Sequence, residues 1–267
     1  QKTVYTIKAL CADMIQKANS GHPGLPLGAA GFTHVLWSQV LNHSAKHPEW
    51  VNRDRFILSA GHGSSMLYSL LHLYGYGLTM DDLKQFRQLG SLTPGHPEYG
   101  HTVGVDATTG PLGQGLGMAV GMAMGQAHLA TVFNKPGYDL FDHYVYALAG
   151  DGCMMEGISS EALSLAGTLK LEKLIILYDS NNISIEGNTN ITFTENVSDR
   201  VKAFGFETLT VKDGDNLDEV LAALEKAKTI KGKPKFIEIK TTIGKDSPNE
   251  GSESTHGAPL GVDNIKA

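Results

Sequence analysis

Between Tyr144 and Thr241 the chain alternates strand and helix without interruption. Apolar runs at 144–149, 173–179, 206–211 and 235–241 read as short strands, and the stretches near 157–169, 195–204 and 216–229 between them read as helices. Strands joined through helices must run parallel, and a parallel sheet has both faces covered. That order predicts a doubly wound α/β fold. The first half adds helices at 1–18 and 26–41, a buried strand at 55–59, helices from about 64 through Tyr74 and at 79–88, and a helix over 113–130. No linker-like composition divides the 267 residues, so they are expected to form one domain.

Composition limits the function classes. The apolar share is 41% and the charged share 19%, enough for a packed core. The net charge of −6 does not point to a nucleic-acid surface. No apolar run approaches the ~18 residues of a membrane span, and no charged-then-apolar leader is read at the start. Cys11 and Cys153 make neither a disulfide framework nor a zinc cage, which favours a reducing, cytoplasmic setting. Gly117, Gly121 and Gly125 recur every four residues and leave one helical face nearly bare. Close helix packing is the expected use of that face, with a subunit boundary as the bolder one.

Gly150-Asp151-Gly152 follows one strand and Asn181-Asn182 follows the next. In an open parallel sheet, ligands sit outside the carboxyl ends of strands, so both groups are expected in one crevice. Gly150 and Gly152 admit a sharp turn and a bulky anion. Asp151 and Asn181 offer hard oxygens that suit Mg²⁺ or Ca²⁺ better than zinc. So few protein ligands leave places for phosphate oxygens and water, the habit of Mg²⁺ on a diphosphate. A helix after Gly152 is expected to turn its N-terminus to the same place. Other phosphate motifs are missing: there is no Gly-x-x-x-x-Gly-Lys-Ser/Thr, and Met118 breaks Gly-x-Gly-x-x-Gly after Gly113.

Histidines form the second signal. His22, His62, His96 and His256 each stand beside glycine or proline in an expected loop, where imidazole can donate to oxygens and move protons near neutral pH. Four in similar settings point to a shared pocket. His34, His43, His47, His72, His101, His128 and His143 read as helix surface or turn.

The motifs together resemble transketolase. They are Asn19-Ser-Gly-His-Pro-Gly24, Leu58-Ser-Ala-Gly-His-Gly63, Thr93-Pro-Gly-His-Pro-Glu98, Thr108-Thr-Gly-Pro-Leu-Gly-Gln-Gly115, Gly150-Asp-Gly-Cys-Met-Met-Glu-Gly-Ile158, Tyr178-Asp-Ser-Asn-Asn-Ile183 and His256-Gly-Ala-Pro-Leu260, in the family's order across almost the whole chain. The resemblance is to the diphosphate-binding part of a bacterial-type transketolase. It implies transfer of a two-carbon ketol unit between sugar phosphates, in the pentose phosphate pathway, with thiamine diphosphate and a divalent metal. Asp151, Asn181 and the main-chain oxygen of Ile183 would hold the metal. His62 and His256 would meet the diphosphate, with Gly150 and Gly152 beside it, and Gly110 and Leu112 would line the cofactor rings. His22, His96 and His256 would face the sugar. Glu156 and Glu161 would link cofactor sites across a dimer.

Two residues depart from the family's wording: Ala60, where Asn is usual, and Leu92, where a basic residue is usual. The resemblance also implies a pyrimidine-binding domain and a C-terminal domain, expected on the same or another chain, in a homodimer or heterotetramer. Related readings are dihydroxyacetone synthase, phosphoketolase, deoxyxylulose phosphate synthase and a non-catalytic cofactor-binding module.

Overall fold

The structure, a computed structural model, describes residues 1–266. In chain order it contains α1 (Lys2–Ala18), α2 (Gly24–Val35), β1 (Arg55–Leu58), α3 (Ser64–Leu73), α4 (Met80–Lys84), α5 (Gln114–Phe133), β2 (Val145–Gly150), α6 (Asp151–Met155), α7 (Gly157–Thr168) and β3 (Leu174–Ser180). A small hairpin, β4 (Ile183–Ser184) with β5 (Gly187–Asn188), precedes α8 (Val197–Ala203), β6 (Glu207–Val211), α9 (Leu217–Thr229), β7 (Lys235–Lys240) and α10 (Val262–Lys266).

The main sheet has five parallel strands in the order β1-β2-β3-β7-β6. β3 is buried along its whole length and β2 through Ala149, as strands covered on both faces must be. Removing the side chain of Ile176 or Leu177 beyond Cβ would cost about 2–5 kcal/mol. α9 shows why the intervening stretches are helical. Asn216 caps its first turn by accepting from the Glu219 N–H at 3.2 Å, and Val220, Leu224 and Ala227 bury one stripe. Lys226 and Lys228 close its last turn, where cations suit the helix dipole. α1 buries Val4, Ile7, Cys11, Met14 and Ile15, with Leu10 packed against the core.

Four expectations need correction. The helix expected over 79–88 stops at Lys84. The helix expected to 41 is regular only to Val35 and continues as a π-turn, Leu36–Val40. α5 is a core helix on one side only. Leu116, Ala119, Val120 and Ala123 are buried against the sheet and α7, whereas Gly121 and Gly125 lie exposed, with nothing within 4 Å of an added Cβ. Gly117 packs against Ile158 of α7, whereas the face at Gly121 and Gly125 is not packed within this chain. Against the expectation that no apolar run approaches a membrane span, α5 is by length and composition long and apolar enough to cross one, although its buried stripe packs on the sheet and α7.

The segment from Ser91 to Gly113 lacks regular structure but is tied down. The Tyr68 hydroxyl donates to the Pro94 carbonyl at 2.8 Å and Ser64 Oγ to the Gly95 carbonyl at 2.7 Å. Asp106 accepts from Arg53 at 2.6 Å and from the Phe56 N–H at 2.8 Å. α3 and β1 thus hold this loop over the end of the sheet.

Candidate functional site

One cavity of about 420 Å³ opens at the carboxyl ends of β2 and β3. Its lining includes every residue expected to hold metal, cofactor or sugar, namely His22, His62, His96, Gly110, Leu112, Gly150, Asp151, Gly152, Asn181, Ile183 and His256, but not Glu161. A wider depression of about 640 Å³ lies over Ser44–Trp50, but one loop lines it and no set of chemical groups converges there.

One end of the cavity is built of oxygens. Asp151 follows β2 directly and is buried. Its Oδ1 accepts from the Tyr178 hydroxyl and its Oδ2 from the Asn182 N–H at 3.1 Å. That second bond needs Asn182 in the left-handed region, φ 60°, which Asn tolerates better than most residues. Asn181 turns Oδ1 to the Ile183 N–H at 2.9 Å and donates from Nδ2 to Asp179 at 3.0 Å. Asp179, which the sequence reading passed over, is wholly buried at the end of β3 and also accepts from the Thr241 hydroxyl. Burial pushes its carboxyl up to about 7, against the donors from Thr241 and Asn181, with the nearby Asp151 adding to the rise. Burial also raises Asp151, despite its Tyr178 and Asn182 donors.

This end fits a hard divalent cation. Two buried carboxylates lie close together, and among the described residues neither is ion-paired. No group of three or more His, Cys, Asp or Glu is placed to cage a metal among those residues, so other ligands must come from amide, carbonyl, phosphate or water oxygens. The glycines keep the room such a ligand needs. A Cβ on Gly150 would project into open space, while one on Gly152 would come within 2.8 Å of Leu112. The expected helix N-terminus is reduced: α6 begins at Asp151, spans five residues and breaks before α7.

The other end is built of imidazoles. His22, His62 and His256 form a triangle with ring centroids 5.2, 5.3 and 5.7 Å apart. His62 rides a single 3-10 turn after β1, closed against the loop: a Cβ on Gly61 would meet the Gly110 nitrogen at 2.7 Å. His96 packs over Gly110, whose φ of 151° only glycine adopts readily. Burial lowers all four histidines, His62 to about 3 and His22 to about 4, with neighbouring histidines adding to both. At neutral pH they are uncharged imidazoles, able to donate or accept. The triangle also sets His62 beside His22 rather than apart from it, so the division of the histidines into cofactor-facing and sugar-facing groups is not marked by separation.

Glu156 lines the cavity and is exposed, as is Glu161 one turn along α7. Two of the histidines read as surface are structural: His143 is buried, and His43 lies between Trp37 and Tyr76, bonded to the Tyr76 hydroxyl at 2.9 Å. Beside Asp179, the sequence reading missed Arg87, which touches His22 from outside the cavity lining. An acid at the carboxyl end of a buried strand was a usable signal for Asp179; no motif marks Arg87.

A parallel α/β domain with oxygen ligands and histidines around one crevice is the class of a cofactor-diphosphate-binding domain. Residues 1–267 match the family described as "Transketolase, thiamine diphosphate binding domain", and the chain belongs to that family. It is 58% identical over 267 residues to a transketolase of Halalkalibacterium halodurans, covering 100% of this chain and 40% of that protein. It is 58% identical over 264 residues to a transketolase of Geobacillus stearothermophilus, covering 98% of this chain and 40% of that one. Among solved structures, a transketolase from Leishmania mexicana superposes with a TM-score of 0.98 at 54% identity, over 99% of this chain and 40% of the other. A Pichia stipitis transketolase in complex with sedoheptulose-7-phosphate gives 0.98 at 49% identity, over 100% and 39%. The chain thus spans about 40% of the length of these relatives.

Proposed function

We propose that this chain is the thiamine-diphosphate and metal-binding part of a transketolase, acting with a completing pyrimidine-binding domain in a dimer. The observation that carries this reading is the single cavity, with Asp151 and Asn181 at one end and four neutral histidines at the other. Asp151, Asn181 and the Ile183 carbonyl would hold Mg²⁺ or Ca²⁺ against the diphosphate, with His62 and His256 donating to it. Gly110 and Leu112 would pack on the cofactor rings, and His22, His96 and His256 would face the sugar phosphate. Bound thiamine diphosphate would supply a carbon nucleophile that accepts the electron pair when a ketose C–C bond breaks.

The chain's own work is to bind, orient and manage hydrogen bonds. Neutral imidazoles in a partly closed cavity hold hydroxyl and phosphate oxygens without adding fixed charge. The exposed face of α5 and the exposed Glu156 and Glu161 support an arrangement that continues into a second subunit. Both cysteines are buried free thiols, which supports a reducing, cytoplasmic setting.

The test combines titration calorimetry and a ketol-transfer assay on the protein with its completing domains. Metal-dependent thiamine-diphosphate binding and transfer from a ketose phosphate to an aldose phosphate are expected. Binding without transfer would favour the non-catalytic module, and absence of both would end the proposal.

A further inference from the structure

We infer that Arg87 is a positioning residue that locks His22 as its Nε2–H tautomer, so that His22 meets the sugar as a hydrogen-bond donor and not as a proton carrier. The inference rests on the sugar-facing role proposed above for His22. The Arg87 guanidinium lies against His22 Nδ1 at 3.2 Å and donates to Ser20 Oγ at 3.0 Å. Guanidinium has donors only and does not lose its proton in proteins. Nδ1 must therefore accept, and the ring proton of neutral His22 must sit on Nε2.

Nε2 has no hydrogen-bond partner among the described residues, and its edge of the ring passes beside Gly257, next to His256, which lines the cavity with His22. The lock is built deliberately. Arg87 takes a positive φ of 62°, uncommon for a non-glycine residue, and its N–H donates to the Thr93 carbonyl at 2.9 Å. A Cβ on Gly95 would crowd its Nε at 3.3 Å, and that Nε is buried without a partner.

Protonating His22 would set an Nδ1–H against a second donor, and Arg87 follows burial as the next cause that lowers His22 to about 4. The other titratable groups facing His22 are His62, His96 and His256, all lowered by burial. A group so far below neutrality is a poor base at pH 7, but its N–H remains a good donor to a sugar hydroxyl or carbonyl oxygen.

The test measures His22 titration by histidine C2-hydrogen exchange with mass spectrometry, on the full-length protein without substrate, beside steady-state kinetics. In wild type, His22 is expected to titrate well below 6.5, and in Arg87→Met to rise by one unit or more. Arg87→Lys, which keeps a donor-only cation, should restore most of the depression. Ketose kcat/KM should fall about tenfold in Arg87→Met, the size of one lost hydrogen bond, with thiamine-diphosphate affinity unchanged. His22→Ala should lower ketose kcat/KM at least as much as Arg87→Met does, and adding Arg87→Met to it should cost nothing more, because Arg87 acts through His22.

The inference is overturned if His22 titrates near 6.5 in wild type, if its titration ignores Arg87→Met, or if the two losses add. A wild-type His22 at 6.5 decides the matter even where Arg87→Met does not fold. A protein that shows the lock but transfers no ketol unit would refute the proposed function and leave the lock standing.

Discussion

The two ends of the cavity are assembled differently. The oxygen end comes from the tips of two neighbouring strands, β2 and β3, with Thr241 just beyond β7 beside them, so sheet register places Asp151, Asp179 and Asn181 together. The histidine end is gathered from four separate segments: the turn before α2, the turn after β1, the loop before α5 and the chain after β7. The first is rigid and has few members, so each is indispensable. The second is redundant in type, with neighbours of the same chemistry 5.2 to 5.7 Å away. Losses should therefore be steep at the oxygen end and graded at the histidine end.

The largest expected effect comes from what neither end supplies. The 267 residues alone should transfer no ketol unit, because the resemblance places the carboxylate that activates the aminopyrimidine on the completing domain. Of the carboxylates lining the cavity, Asp151 and Asp179 are already committed to the bonds described above, and Glu156 and Glu186 are exposed. Adding that domain should restore transfer; a mass-verified isolated chain turning over at ordinary enzyme rates would refute this.

Next come the oxygen ligands. Asp151→Ala and Asn181→Ala should each lower metal-dependent thiamine-diphosphate affinity about 100-fold or more, and Tyr178→Phe, which removes only the hydroxyl holding Asp151, about tenfold. Unchanged affinity by calorimetry in Asp151→Ala would remove the metal assignment. At the histidine end, His62→Ala should weaken cofactor binding about tenfold, while His96→Ala should spare it and lower turnover about tenfold or more. The reverse pattern would show that the triangle and the Gly110 side have exchanged roles.

Particular residues show what the sequence could and could not tell. The alternation from 144 to 241 revealed the parallel sheet because β2 and most of β3 are continuous buried apolar runs, while β6 and β7 mix apolar residues with Thr, Glu and Lys. It could not reveal that β7 lies between β3 and β6, since that order depends on which crossover turns back. All the chosen site residues reached one cavity, because strand tips and Gly-His turns are local signals. Asp179 hid inside an apolar strand, and Arg87 hid because its action depends on a positive φ and on contacts with Ser20 and His22, far away in the chain. The glycine stripe of α5 was seen, but its periodicity could not say whether this chain covers it.

The smallest expected effect is on stability, and it tests whether the histidine end is held neutral. His62 falls to about 3 in the folded chain against about 6.5 unfolded. Below pH 6.5 the unfolded chain takes up a proton that the folded one refuses, so His62's contribution is complete above 6.5 and is lost as pH falls toward 3. Asp179 works in the opposite direction. Its folded value near 7 lies above the unfolded one, so it favours folding increasingly as pH falls from about 7 toward 4. Total stability against pH therefore mixes two slopes of opposite sign. A subtraction separates them, because His62→Asn removes one titration and leaves Asp179 in place. Without cofactor, the melting temperature of wild type relative to His62→Asn should drop between pH 6.5 and 5. The slope limit is about 1.4 kcal/mol per pH unit, and solvent reaching the half-buried ring reduces the expected change to about 1 kcal/mol. That corresponds to roughly 2–4 °C for a domain of this size. A difference that stays flat across that interval would mean that His62 titrates normally and that the imidazole cluster is open to water.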